Sequence, residues 1–270
     1  MEVFDKPRIG GVYSGLLLPS QPTAFRPNWG VPLLRALSFL LLPHPSGFYY
    51  DIVKGRRAIF GGANASGIVP VLTKFGYGYQ FGVAAGGQNA YATAVDGAFQ
   101  PPSKGLTVAI GAYNQATIGN VLCSFCNWQN ASQTNRLGVY VNNYAGTPRM
   151  ECIIEAGGVT TNLIANGGAG ITMVTSGQYL TYSGSYDGIN LLANYNTTGL
   201  GNQTGATTSA IGFPSGINSA AISDTVVGGN INSARTMLWM AGWNRALSAA
   251  ELVTVCAPVG GLPAGWLRHG

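Results

Sequence analysis

The stretch Trp243–Ala257, WNRALSAAELVTVCA, decides how the rest of this chain is read. Ser248 is followed three residues later by Glu251, with Leu247 before the pair and Leu252 after it. A Ser at the N-cap and a Glu at N3 satisfy each other's free amides, while apolar residues at N′ and N4 clamp the entering chain. The pattern predicts a helix from Ser248 to Cys256. Everything before it runs the other way, in short alternating stretches of Gly, Asn, Ser, Thr and β-branched residues.

Composition agrees with a folded, turn-rich protein. Charged residues make up 9% of the 270, against roughly 25% in an average soluble chain, while 46% are hydrophobic. Forty Gly and fourteen Pro are spread between apolar runs rather than concentrated in one low-complexity block. So little charge leaves a surface solvated by Asn, Ser, Thr and Gln, or covered by other protein. The net charge of +5 is scattered, with Lys54, Arg56 and Arg57 as the one tight group, so nucleic acid is not expected as a partner.

The N-terminal MEVFDKPRIGG carries acids and no apolar core, and does not read as a signal peptide. The longest apolar run, Leu33 to Leu42, is broken by Arg35 and is shorter than the roughly 20 residues of a membrane span. Neither export nor membrane insertion is expected. Residues 1–30 hold Pro7, Pro19, Pro22 and Pro27 without lasting periodicity and read as an extended arm. The arm carries Phe4, Ile9, Leu16, Leu17, Leu18, Phe25 and Trp29, more large apolar side chains than a solvated linker holds, which makes these the candidate partner-binding residues.

From Leu33 onward, strand candidates follow one another at short intervals, including LSFLLL (37–42), LTVAIGAY (106–113), VLCSFCNW (121–128), MECIIEA (150–156), ITMVT (171–175), QYLTYSGSY (178–186) and TMLWMAGW (236–243). Turn signals such as EAGG and YDG separate them, and many short strands with almost no helix imply a sandwich or barrel. TMLWMAGW is apolar throughout, with Trp239 and Trp243 expected on one face and Leu238 and Met240 on the other. Such a strand needs a covering layer on its second face: the helix, the arm or a neighbouring subunit.

A strand ending in an aromatic and running into Asn-Arg-Ala-Leu-Ser-x-x-Glu-Leu resembles the closing signature of laminin-G-like domains in the concanavalin A-like lectin/glucanase superfamily. The matching residues are Trp243, Asn244, Arg245, Ala246, Leu247, Ser248, Glu251 and Leu252. YYDIVKGRRA, with Asp51, is similar to the family's aspartate-bearing turn, and QYLTYSGSYDGINLLAN to its paired strands around an Asp-Gly turn, here Asp187 and Gly188. The resemblance implies an all-β, two-sheet antiparallel jelly-roll sandwich over residues 31–257, with the arm at 1–30 and a tail at 258–270. The proline-rich lead-in FRPNWGVPLLRALSFLLLPHP resembles members encoded by tailed bacteriophages. That likeness implies a non-enzymatic virion protein, a capsid decoration or minor head protein or a tail-associated one, attached through its arm to other virion proteins and present as oligomeric or lattice-bound copies. The alternative is a glycan-binding adhesion module with cell-surface glycan as partner, and the third reading is a glycoside hydrolase.

The hydrolase reading needs two carboxyls about 5–9.5 Å apart. Glu151 and Glu155 come nearest in sequence, yet on one strand face they would stand about 13 Å apart at 3.3 Å per residue. His44, between two prolines, reads as a turn residue, and His269 lies beside the last residue, so no catalytic residue is assigned. Asp51, Asp96, Asp187 and Asp224 are too far apart in sequence to form a calcium loop, and no cofactor is expected. Cys123, Cys126, Cys152 and Cys256 allow two disulfides in three pairings or a zinc site. In a strand Cys123 and Cys126 point to opposite faces, which argues against metal, and free buried thiols are expected.

Overall fold

The computed structural model describes residues 18–61, 65–81, 89–93, 105–114, 123–130, 134–144, 147–164, 177–195, 203–204, 219–222 and 235–270. Phe4, Ile9, Leu16, Leu17, Asp96, Asp224 and the expected strand at 171–175 lie outside them. In chain order the strands are β1 (Phe25–Pro27), β2 (Leu37–His44), β3 (Phe48–Asp51), β4 (Arg56–Gly61), β5 (Val69–Thr73), β6 (Gly76–Phe81), β7 (Asn89–Thr93), β8 (Leu106–Asn114) and β9 (Cys123–Gln129). They continue as β10 (Arg136–Tyr144), β11 (Thr147–Ala156), β12 (Val159–Ile164), β13 (Tyr179–Tyr186), β14 (Leu191–Tyr195), β15 (Gln203–Thr204), β16 (Ser219–Ile222), β17 (Arg235–Trp243) and β18 (Leu267–His269). Helix α1 (Ala249–Cys256) is the one α-helix among the described residues.

Sixteen of the strands pair antiparallel in one folded ladder, β12-β11-β10-β9-β16-β7-β4-β3-β2-β17-β8-β13-β14-β15, with β6 also on β17 and β5 on β6, while β1 and β18 pair in a separate two-stranded sheet. The ladder doubles over so that β10 and β11 lie across β8, β13 and β14, which makes the two layers of a jelly-roll-like sandwich. Alternation along β8 shows why the layers meet. Leu106, Val108, Ile110 and Ala112 point inward to Trp128, Val139, Ile154, Tyr182 and Met240. Ala109, between them, points outward to a second core.

That second core is the covering layer β17 requires. Leu247, Leu252 and Val255 of the helical segment, Leu18, Phe25, Leu33 and Leu34 before β2, and Leu262, Trp266 and Leu267 near the end of the chain pack on Leu40, Trp239 and Trp243. Trp239 and Trp243 both meet Trp266 edge-on, at ring-centroid distances of 6.1 and 5.7 Å. The Trp239 indole N–H donates to the carbonyls of Gly260 and Gly261. A side chain at Gly111 would meet the Trp239 nitrogen at 2.2 Å, so only glycine lets this tryptophan lie flat across β8.

Three expectations change here. First, Leu238 shares the outer core with Trp239 instead of facing away from it. The pairing of β17 with β8 slips between Met237 and Trp239, and a bulge of this kind shifts the alternation by one residue. Second, the segment expected as a free arm lies on its own chain from Leu18 onward. Leu18 donates its N–H to the Phe75 carbonyl at 2.5 Å, and β1 pairs with β18, Phe25 opposite His269. Leu18 and Phe25 are therefore buried within this molecule rather than held ready for a neighbour, whereas Trp29 is 47% exposed. Third, residues 258–270 form no tail, because Leu262, Trp266 and Leu267 complete the outer core.

Candidate functional site

The residues from Trp243 to Leu252 form one connected network. Ser248 Oγ accepts from the Glu251 N–H, and the Ser248 N–H donates back to Glu251 Oε2 at 2.9 Å, so both halves of the capping box are present. Leu247 and Leu252 are buried, as a hydrophobic staple requires. Arg245 holds Glu251 with two bonds and reaches the Arg35 carbonyl through Nε, while the Trp243 indole donates to the Leu33 carbonyl. Asn244 donates its N–H to the carbonyl of Ala36, a residue in the left-handed region. Sequence reading did not single out Thr107, whose hydroxyl accepts from the Leu247 N–H, and Ser185, whose hydroxyl donates to the Leu247 carbonyl. These two pin the helix entry to β8 and β13.

Against that entry stands the turn joining β13 to β14. Asp187 accepts from the N–H groups of Ile189 and Asn190 at 2.8 and 2.6 Å, and from Asn190 Nδ2 at 3.1 Å. The helix entry and this turn enclose an open cleft of about 240 Å³, lined by Ser185, Asp187, Asn190, Leu192, Ala246, Leu247, Ser248 and Glu251. Two stretches far apart in sequence, the Asp-Gly turn and the Ser-x-x-Glu cap, thus form facing walls of one site. Asn190, like Ser185, is a member sequence reasoning missed; its signal was the Asp-x-x-Asn spacing, which lets an Asn amide reach back to a turn aspartate.

Both carboxyls of the cleft are ionised at neutral pH. Burial pushes the Asp187 carboxyl up, but the hydrogen bonds from Asn190 and Ile189 outweigh it and leave the group below its ordinary range. The grip of Arg245, opposed by burial and assisted by the Ser248 N–H, holds Glu251 at about 2. A general acid must keep its proton until the substrate arrives, and neither group does.

The remaining candidates fall elsewhere. Asp51 is fully buried, accepts from the N–H groups of Leu40 and Val53, and lines no cleft with the other described aspartate, Asp187. Glu155 forms an ion pair with Arg136 at 2.8 Å, directly across from it on β10, and Glu151 is buried on the same strand as Glu155. His44 stacks on Phe48 at 4.3 Å in the β2–β3 turn and accepts from the Ser46 N–H. Arg57, from the basic group, lies over the same Phe48 ring. Cys126, Cys152 and Cys256 are buried, with Cys256 Sγ against Ser183 Oγ at 3.3 Å, and the side chain of Cys123 is outside the described residues. Burial pushes the Cys126 and Cys152 thiols far up, away from reactivity. Among the described residues no group of three His, Cys, Asp or Glu side chains is placed to hold a metal ion. No described helix is long and apolar enough to cross a membrane.

No protein-family model matches the sequence, and no curated protein is significantly similar to it. Solved structures do share its fold. The binding domain of Paraclostridial Mosquitocidal Protein 1 aligns over 83% of this chain and 52% of its own, with a TM-score of 0.60 and 9% identity. The receptor binding domain of botulinum neurotoxin mosaic serotype C/D, solved with a tetraethylene glycol molecule on its Hcn sub-domain, aligns over 85% of this chain and 55% of its own, at a TM-score of 0.60 and 9% identity. A structure of botulinum neurotoxin type C, whose cell entry depends on interaction with two ganglioside molecules, aligns over 82% and 50%, at a TM-score of 0.58 and 6% identity. The chain spans about half the length of each. At these identities the likeness establishes the fold, a jelly-roll-like β-sandwich.

Proposed function

We propose that this chain is a non-catalytic recognition module that binds carbohydrate in the cleft between the Asp187 turn and the Ser248 cap. The observation that carries the reading is the cleft itself: an open hollow of about 240 Å³ whose walls mix polar groups with Leu192, Ala246 and Leu247, positioned by a capping box on one side and a hydrogen-bonded turn on the other. Saccharide sites need several oriented polar groups on a stiff scaffold, because each sugar hydroxyl is weakly held unless its partner is already in place. Within the cleft, Leu192 and Leu247 give an apolar surface for the C–H face of a sugar ring.

The fold supports this reading over a purely structural virion role, because the similar structures described above are toxin binding domains. The ionised state of both cleft carboxyls supports binding over hydrolysis. A virion remains one vehicle on which such a module would serve, with residues 1–17 as its attachment. Glycan-array screening followed by calorimetry tests the function. Wild-type protein should bind a defined saccharide set, and Asn190→Ala should weaken that binding at least about tenfold while leaving the melting temperature within a few degrees, since one lost hydrogen bond to a sugar is worth about that factor. Unchanged affinity in the variant, or no saccharide bound at all, would refute it.

A further inference from the structure

We infer that the cleft sorts sugars by charge, accepting neutral and amino-bearing saccharides and turning away acidic ones. The inference rests on the cleft being a glycan site and adds which class of glycan it takes.

The cleft walls have few donors left to offer. The Ser248 N–H and hydroxyl both go to Glu251 Oε2. The Ser185 hydroxyl goes to the Leu247 carbonyl. The Asn190 N–H and one hydrogen of its amide go to Asp187. Arg245, whose terminal nitrogens both bond Glu251, does not line the cleft, and among the described residues no Lys, Arg or His does. Of the side-chain donors, a single hydrogen on Asn190 Nδ2 is uncommitted.

Acceptors are in surplus. Asp187 Oδ2 takes one bond, from Asn190, and Glu251 Oε1 takes one, from Arg245, so each keeps a lone pair. Asn190 Oδ1 takes none from the described residues. A ligand that fills this cleft must therefore supply donors, and sugar hydroxyls or a ring ammonium do so. A carboxylate supplies only acceptors, meets the charge of Asp187 beside a Glu251 already neutralised by Arg245, and finds one amide hydrogen. Among the described residues Asp187 has no cation beside it within the cleft, so its charge acts directly on whatever enters.

Matched trios test this whichever sugar the site takes. Each neutral saccharide that binds is compared by calorimetry with its own C6-carboxylate and its own amino derivative, at low and at physiological ionic strength. The carboxylate should bind roughly tenfold more weakly and the amino form at least as tightly as the parent, from Coulomb interactions at about 5 Å in a solvent-exposed site. Added salt should shrink the gap. Asp187→Asn, which keeps an acceptor for the Ile189 and Asn190 amides, should narrow it further. Equal or tighter binding of the carboxylate, or a gap unmoved by Asp187→Asn, overturns the inference while leaving glycan binding intact. Failure of every neutral parent to bind overturns both.

Discussion

Arg245 and Glu251 face each other across the helix entry through two parallel bonds, Nη1 to Oε2 at 3.0 Å and Nη2 to Oε1 at 2.7 Å. The same carboxylate closes the capping box with Ser248. One glutamate thus ends a strand connection, starts a helix and forms a wall of the cleft, which explains why the motif is so compact in sequence.

That carboxylate has its folded pKa depressed to about 2 from an ordinary 4.5, so its contribution is complete above pH 4.5 and is lost as pH falls toward 2. Both partners are partly exposed, so solvent screening limits the ion pair to about 1 kcal/mol. Arg245→Ala should raise the Glu251 titration, followed by carboxyl NMR, toward the ordinary range, with the Ser248 bonds still holding it below. A titration that stays near 2 would show that the cap alone sets it.

Ser248→Ala should cost about 1 kcal/mol in chemical denaturation, since the Glu251 amide loses its acceptor. Unchanged stability would mean that water replaces the hydroxyl at no net loss.

Asp51 predicts the opposite pH trend. Burial raises its carboxyl from 3.8 to about 6, against the hydrogen bonds from Leu40, Val53 and Lys54 and the nearby charge of Arg56. Between those values the folded protein holds a proton the unfolded chain has released, so stability falls as pH rises from about 4 through 6. The loss is about 3 kcal/mol at 1.36 kcal/mol per pKa unit. Urea denaturation near pH 4 and well above pH 6 measures it, and Asp51→Asn should flatten the difference. A wild-type protein more stable at the higher pH in this comparison would contradict the assignment.

The helix and its cap are legible because the bonds of the capping box lie within a few residues. The strands were legible because period-two alternation is local. What escaped the sequence is long-range. The pairing of Phe25 with His269 joins opposite ends of the chain, so an arm and a tail were read where one covering layer exists. The bulge at Met237–Trp239 depends on β8, which is distant in sequence, and it moved Leu238 to the outer core. The cleft needed the β13–β14 turn and the helix entry to meet, and only Asp187 and the cap were visible as separate pieces.

Truncation checks the corrected boundary. Deleting residues 2–28 removes Leu18 and Phe25 from the outer core along with β1, and should cost roughly 3 kcal/mol or more by the usual burial of a Leu and a Phe. Equal melting temperatures for the full chain and this deletion would show that the covering layer adds nothing.

If sugar binds in the cleft, chemical-shift mapping with the tightest array ligand will show it residue by residue. Titration should move the amide signals of Asp187, Ile189, Asn190, Ser248 and Glu251 together, with one affinity that matches calorimetry. Shifts confined to another part of the sandwich, with these five unmoved at saturation, would place the sugar elsewhere and overturn the assignment of the cleft.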